Sequence, residues 1–324
     1  MIEIIEQDLI LLNKFLIEND NNNEVLNAIN KTLFSSGGKK LRGSLVLLFS
    51  RIGHDDYHIS DKILKAAAAV EYIHHATLLH DDVIDDSLIR RGKKNSKMIW
   101  GNRLSILAGD WLLSQALKCN TNQPMIIKEI TDVIQIMIKG EIAQLKKCFL
   151  NIISSDNYFD IIYAKTASLF GASCKIGSFF AKNTSEEVQN ISFDIGKNIG
   201  INFQIMDDIL DYQEDQSDFG KIQGHDFING KVTLPLIIAY EKGTENEREF
   251  WLKIINESIH GVLSKEYLSQ AIVYLNKNFA FEEAKKIANN YLKKTEDSLR
   301  KISFDGINYN KINNFINKLK NRNQ

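Results

Sequence analysis

Proline is almost missing from this 324-residue chain, occurring only as Pro124 and Pro235. Proline lacks an N–H and clashes with the preceding turn, so its scarcity leaves helices free to run long. Alternating apolar and polar runs bounded by turn signals are almost missing too, which excludes an organisation built on strands. Cysteine is scarce: Cys119, Cys148 and Cys174 have no metal-ligand spacing and are too few for a disulfide framework. All three sit in or beside helical patterns and read as small apolar residues of a reducing compartment. Net charge is nearly absent, at −1, which gives no support to a nucleic-acid partner. No apolar run approaches the roughly 18–20 residues that span a bilayer. The opening segment, MIEIIEQDLI, is acidic, unlike the basic start of a signal peptide. These absences describe a cytoplasmic, all-α protein.

Helical periodicity fills most of the sequence. Two amphipathic helices are expected over 2–17 and 24–34, then a basic glycine-containing loop, SSGGKKLRG, over 35–43. A short buried helix over 44–52 follows. Ser60 can cap a long helix reaching Asp86, with a basic loop over 87–94. A helix over 103–118 is expected to bury Leu104, Leu107, Trp111 and Leu112. Strongly apolar helices are expected over 125–150, 157–182 and 185–212. A polar, glycine-rich loop over 213–230 reads as functional, and a helix over 233–242 carries Pro235 in its first turn. No shift of composition marks a boundary, so residues 1–324 read as a single domain.

Two acidic clusters stand out. His74–Gly92 reads HHATLLHDDVIDDSLIRRG, and the form DDxxD returns at Asp207–Asp211 as DDILD, again after an apolar run. Residues four apart on a helix share a face, so Asp81 stacks on Asp85 and Asp207 on Asp211, each like-charge pair costing roughly 0.2–0.5 kcal/mol. Carboxylates at a helix end also meet the negative end of its dipole. One such cluster reads as a solvated helix end. Two of identical form ask for divalent cations, and all-oxygen ligands suit Mg²⁺, which shares its sphere among carboxylates, waters and phosphate oxygens. The expectation is that the clusters face each other across a pocket and hold a diphosphate. A diphosphate also needs cations, and three sets border helix ends in glycine-containing loops: Lys39, Lys40 and Arg42; Arg90 and Arg91; Lys221 and Lys231. Each set alone reads as solvated surface; together with the acids they suggest two phosphate sites, one bridged by metal and one not.

GGKKLR, HHATLLHDDVIDDSLIRRG, AKTASLF, FQIMDDILDY and GKVTLP, in this order, closely resemble the trans-isoprenyl diphosphate synthases over about residues 34–236. The resemblance implies a homodimer whose subunit is a bundle of roughly ten core helices around a central pocket. It implies condensation of an allylic diphosphate, such as farnesyl diphosphate, with isopentenyl diphosphate and release of pyrophosphate. By resemblance, Asp81 and Asp85 bind two Mg²⁺ ions and Asp207 a third, with Asp211 reaching the third directly or through water. Arg90, Lys165, Thr166, Gln204, Lys221 and Lys231 meet the allylic diphosphate; Lys39, Arg42, His74 and Arg91 hold isopentenyl diphosphate without metal. The catalytic set so implied is Asp81, Asp85, Asp207, Lys165 and Lys221. Asp82 and Asp208 orient neighbours. His74 lies seven residues before Asp81, two turns back on the same face, which supports part of this independently.

Product length is set beneath the first cluster. Bulky aromatics block the pocket at the positions of Ala76 and Thr77 in relatives making short products; both residues are small here, so a long-chain product of the quinone side-chain kind is expected. Small residues that merely let helices pack closely are the plainer alternative. Gly43 stands where proline is usual, which predicts a looser loop, and His225 where an acid is common. His75 and His80 read as hydrogen-bonded structural histidines. Other readings are a short-chain farnesyl or geranylgeranyl synthase and a subunit of a heteromeric prenyl synthase. Outside the resemblance, His80-Asp81 fits a metal phosphohydrolase, and Glu71-x-x-His74 with Glu257-x-x-His260 fits a di-iron bundle. Transient membrane contact on product release is the one membrane role left open.

Overall fold

The computed structural model describes residues 5–18, 22–35, 38–54, 57–85, 89–90, 93–148, 153–182, 184–213, 223–258, 263–302, 312–314 and 316. Among these are fourteen α-helices: α1 (Glu6–Ile17), α2 (Glu24–Ser35), α3 (Leu41–Phe49), α4 (Asp61–Ile84), α5 (Ser96–Lys118), α6 (Pro124–Cys148), α7 (Ser155–Ile162), α8 (Ser168–Ser178), α9 (Glu186–Gln213), α10 (His225–Ile228), α11 (Leu234–Lys242), α12 (Glu245–Ser258), α13 (Lys265–Lys277) and α14 (Ala280–Leu299). The all-α expectation holds, with one addition. Within the segment read as a basic loop, β1 (Ile89–Arg90) pairs antiparallel with β2 (Lys93–Lys94).

The chain divides into two compact units, each described by itself. The first comprises residues 1–134, 169–196 and 296–317; the second, residues 135–168, 197–295 and 318–324. No described helix is long and apolar enough to cross a membrane.

In the first unit α4 packs chiefly along α5 and α3. Ser60 caps α4 as expected, its Oγ accepting the Ile63 N–H at 3.3 Å. Ala66–Ala69 are fully buried, so the neighbouring backbones can approach closely. That close approach overturns the expected face of α5. Leu104 and Leu107 are exposed and Trp111 half-buried; Leu112 is buried as expected, but beside the small residues Ser105, Ala108, Gly109 and Ala116. Helix α5 also begins earlier than expected, at Ser96, capped by Asn95, with Gly101 at φ 80° breaking the helical path. That break hid the first turn from the periodicity.

Gly43 is not in a loop. Helix α3 starts at Leu41, and Gly43 lies in its first turn with its N–H donating to the buried Glu71 Oε1 at 2.8 Å. A Cβ there would lie 2.7 Å from Leu12 Cδ2, so the site is tight rather than loosened. Lys40, just before α3, holds the left-handed conformation (φ 42°).

The second unit is built on Ile205, Ile209, Tyr212, Phe227, Leu236, Ile237, Trp251, Leu275 and Ala284, all buried in one apolar cluster. The expected helix over 157–182 runs from Ser155 to Ser178 with one turn of different winding. Ser154 caps α7, and residues Tyr163–Ala167 form one turn of π-helix before α8. Pro235 sits in the first turn of α11, as expected.

Candidate active site

Helix α4 ends at Ile84, and the Asp85 N–H closes its last turn on the Asp81 carbonyl at 2.8 Å. This end sorts the first cluster by exposure: Asp85 is exposed, Asp81 half-buried and Asp82 buried. Asp86 lies outside the described residues. Asp81 and Asp85 therefore share the open side, as four-residue spacing requires, while Asp82 faces the packing. His74 is half-buried on the same helix, and Thr77 donates to its carbonyl at 2.9 Å. Ala76 is fully buried.

Both histidines set aside from catalysis are held by the backbone. His75 Nδ1 lies 2.8 Å from the Glu71 carbonyl and His80 Nε2 3.2 Å from that of Ile106. The His80 ring occupies the space a side chain at Gly109 would need, since a Cβ there would sit 2.2 Å from Nε2. Arg42 is buried, with its guanidinium 4.6 Å from the Phe170 ring centre; Lys39 is exposed.

The second cluster repeats the sorting. On α9 Asp208 is buried, while Asp207 and Asp211 are half-buried four residues apart. Asp211 Oδ2 accepts the Asp226 N–H at 3.0 Å. Both Asp208 oxygens are engaged: Oδ2 accepts the Tyr158 hydroxyl at 2.6 Å and Oδ1 the Gln204 amide N–H at 2.8 Å. Gln204 in turn accepts from the Thr166 hydroxyl at 2.8 Å.

Tyr158, Thr166, Gln204, Asp208 and Asp226, but not Asp207 or Asp211, line one cavity in the second unit, with about 970 Å³ of empty space, open solvent included. Its walls bring together Lys165, Thr166, Gln204 and Lys231 of the expected site, and add Tyr158, Asp208, Asp226 and Gln144. Lys165 and Thr166 project from the π-helical turn, a feature that concentrates at functional sites. Lys165 Nζ pairs with Glu141 at 2.5 Å and Lys231 Nζ with Asp226 at 3.1 Å. Burial, then the charge of Asp226, pushes the Asp208 carboxyl up to about 8, opposed by its hydrogen bonds from Tyr158 and Gln204. Burial and the same carboxylate push the Tyr158 hydroxyl well above the usual phenol value.

Lys221 and Arg91 lie outside the described residues, and of Arg90 only the backbone is described. Tyr158, Glu141 and Asp226 were missed in the sequence. Tyr158 had a usable signal: it lies seven residues before Lys165, as His74 does before Asp81.

Among the described residues, no group of three or more His, Cys, Asp and Glu side chains could hold a metal alone. His260 of the di-iron alternative lies outside the described residues, and Glu71 Oε1 accepts the Gly43 N–H. Magnesium asks for less, one or two carboxylates with waters and phosphate oxygens. The pairs Asp81/Asp85 and Asp207/Asp211 supply oxygen donors of that kind, and this donor set fits magnesium.

The polyprenyl synthetase family model matches residues 23–272. Octaprenyl diphosphate synthase of Escherichia coli K12 is 34% identical over 252 residues, covering 76% of each chain. Heptaprenyl diphosphate synthase component 2 of Bacillus subtilis 168 is 34% identical over 269 residues, 82% of this chain and 74% of that one. The crystal structure of a polyprenyl synthase from Caulobacter crescentus CB15, complexed with calcium and isoprenyl diphosphate, superposes with a TM-score of 0.88. It is 30% identical, over 99% of this chain and 95% of that one.

Proposed function

This chain belongs to the polyprenyl synthetase family and is a prenyltransferase, and from that premise we propose that it makes a long trans-polyprenyl diphosphate. It does so by adding successive isopentenyl diphosphates to an allylic primer such as farnesyl diphosphate, for a quinone side chain. The observation that carries this reading is the matched sorting of the two DDxxD clusters, with first and last aspartates open and the second buried.

In this reading both clusters serve one allylic diphosphate. Asp81 and Asp85 would hold two Mg²⁺ ions and Asp207 a third, with Asp211 beside it; when bound, these would supply the Lewis-acid charge that makes the diphosphate a better leaving group. Lys165, Thr166, Gln204 and Lys231, with Arg90 and Lys221, grip its oxygens; Lys165 and Lys231 exchange Glu141 and Asp226 for phosphate as it binds. Lys39, Arg42, His74 and Arg91 hold isopentenyl diphosphate. The pocket's apolar walls exclude water from the allylic cation left when the carbon–oxygen bond breaks. The double bond of isopentenyl diphosphate attacks that cation, and departing pyrophosphate takes the proton.

The chain acts as one catalytic domain in a cytoplasmic homodimer. Ile138, Ile142 and Leu145 form one exposed apolar stripe on α6, which a second copy would cover. The name of the Bacillus relative raises a second reading, that of one component of a two-component synthase.

The purified chain is to be incubated with farnesyl diphosphate, labelled isopentenyl diphosphate and Mg²⁺. Label extractable into organic solvent, abolished by a chelator, is the expected result. Phosphate release without extension would sink the synthase reading, and no turnover by the chain alone would favour the two-component one. Thin-layer separation of dephosphorylated products reads the chain length directly.

A further inference from the structure

We propose that Tyr158 is a positioning residue for prenyl transfer, orienting the Gln204 amide toward the allylic diphosphate through the Asp208 carboxylate. This rests on the reading of the cavity given above.

Tyr158 is buried, its ring packed edge-on against Phe159 with centroids 5.4 Å apart. Its hydroxyl reaches Asp208 Oδ2 at 2.6 Å, and Asp208 is itself only 3% exposed. Two donors from different helices, Tyr158 on α7 and Gln204 on α9, thus hold the two oxygens and stop the carboxylate from turning. Oδ1, so fixed as an acceptor, dictates which end of the Gln204 amide faces it. Nε2 must turn to Asp208 Oδ1, and the amide oxygen is left to accept the Thr166 hydroxyl. What remains for a ligand is the second N–H of Gln204, a donor, which suits an anion. With Asp208 free to rotate, Gln204 can flip and offer its carbonyl, which repels phosphate. The buried second aspartate of this DDxxD is therefore a hinge pin for the amide, and Tyr158 is what locks it.

Tyr158→Phe keeps the ring and removes one oxygen. Steady-state kinetics of the full chain with farnesyl diphosphate, isopentenyl diphosphate and Mg²⁺ are compared with wild type, alongside a thermal melt. The expected result is a KM for farnesyl diphosphate raised roughly tenfold, the scale of one lost buried hydrogen bond. The KM for isopentenyl diphosphate stays within about twofold, because a single lost contact confined to one subsite leaves the other unchanged. An unchanged farnesyl diphosphate KM, with or without a lower melting temperature, overturns the proposal and leaves Tyr158 a packing residue. Equal rises for both substrates overturn it as well. Should Tyr158→Phe fail to fold because it strands the buried Asp208 carboxyl group, the double variant Tyr158→Phe, Asp208→Asn replaces that group with a neutral amide. Its amide can either donate to or accept from Gln204, so the raised KM must persist; a return to the wild-type value overturns the proposal. Wild-type chain that makes no extended product sinks the underlying reading instead, before any variant is measured.

Discussion

Gly43 illustrates how one residue's environment reverses the expectation drawn from its type. A glycine replacing proline ahead of a helix suggests slack, yet its N–H is one of the first-turn donors that no helical carbonyl can satisfy, and the buried Glu71 carboxylate takes it. Gly43→Pro should therefore destabilise, by about 1–3 kcal/mol, the cost of leaving a buried acceptor unmet; chemical denaturation reads it, and a stabilised variant would contradict the account. Glu247 offers a second case. It receives Lys277 Nζ at 2.5 Å, the Thr244 N–H at 2.9 Å and Asn278 Nδ2 at 3.4 Å. The bond from Lys277 leads in holding its carboxyl below the usual 4.5. A lowered pKa contributes stability that is present above the unfolded value and lost as pH falls through the folded one. Glu247→Gln should cost about 1 kcal/mol at pH 7, because Lys277 is largely solvated. The gap from wild type should narrow as the pH drops below 4.5, and a gap that stays constant down to acid would rule this out.

Among elements, the π-helical turn at Tyr163–Ala167 positions Lys165, one of the two described lysines lining the cavity. Its Ala164 packs against Gly140 of α6 so closely that a Cβ on Gly140 would lie 2.4 Å from the Ala164 Cβ. One residue on, Glu141 pairs with Lys165. The two helices thus touch at a glycine and an alanine, and this contact aims the lysine. Gly140→Ala should push the turn away, costing about 1–3 kcal/mol by overpacking and lowering kcat through a displaced Lys165. A melt and a rate measurement together check it; full activity at wild-type stability would mean the contact is soft. Helix α5 follows the same logic, since Gly109 makes room for the His80 ring. Periodicity foretold α5 but not its orientation. Hydropathy ranks leucine above serine and alanine, whereas close approach to the alanine row of α4 selects for size.

At the scale of the whole molecule, the open question is how far the product grows. Ala76 is fully buried and Thr77 half-buried, one turn above Ile73 and Tyr72 on α4. Each helical turn of depth adds about 5.4 Å. Ala76→Tyr with Thr77→Phe should shorten the product by at least one five-carbon unit, read by thin-layer separation. Unchanged length would mean that these small residues serve packing and that the floor lies elsewhere.

Much was legible before any coordinates. Scarce proline, 3.6-residue periodicity and the repeated DDxxD are local signals, and local signals survive in one dimension: spacing alone put Asp81 with Asp85, and Asp207 with Asp211, on common faces. Fold class and family followed, as did the cap at Ser60 and the place of Pro235 in a first helical turn. Tertiary structure alone decided which aspartate of each cluster is buried, and that Lys165 meets Glu141 and Lys231 meets Asp226. It alone brought Tyr158 to Asp208, fifty residues away. Such pairings depend on which helix faces cross and at what separation. Backbone approach and burial set those, and no residue's own chemistry records them.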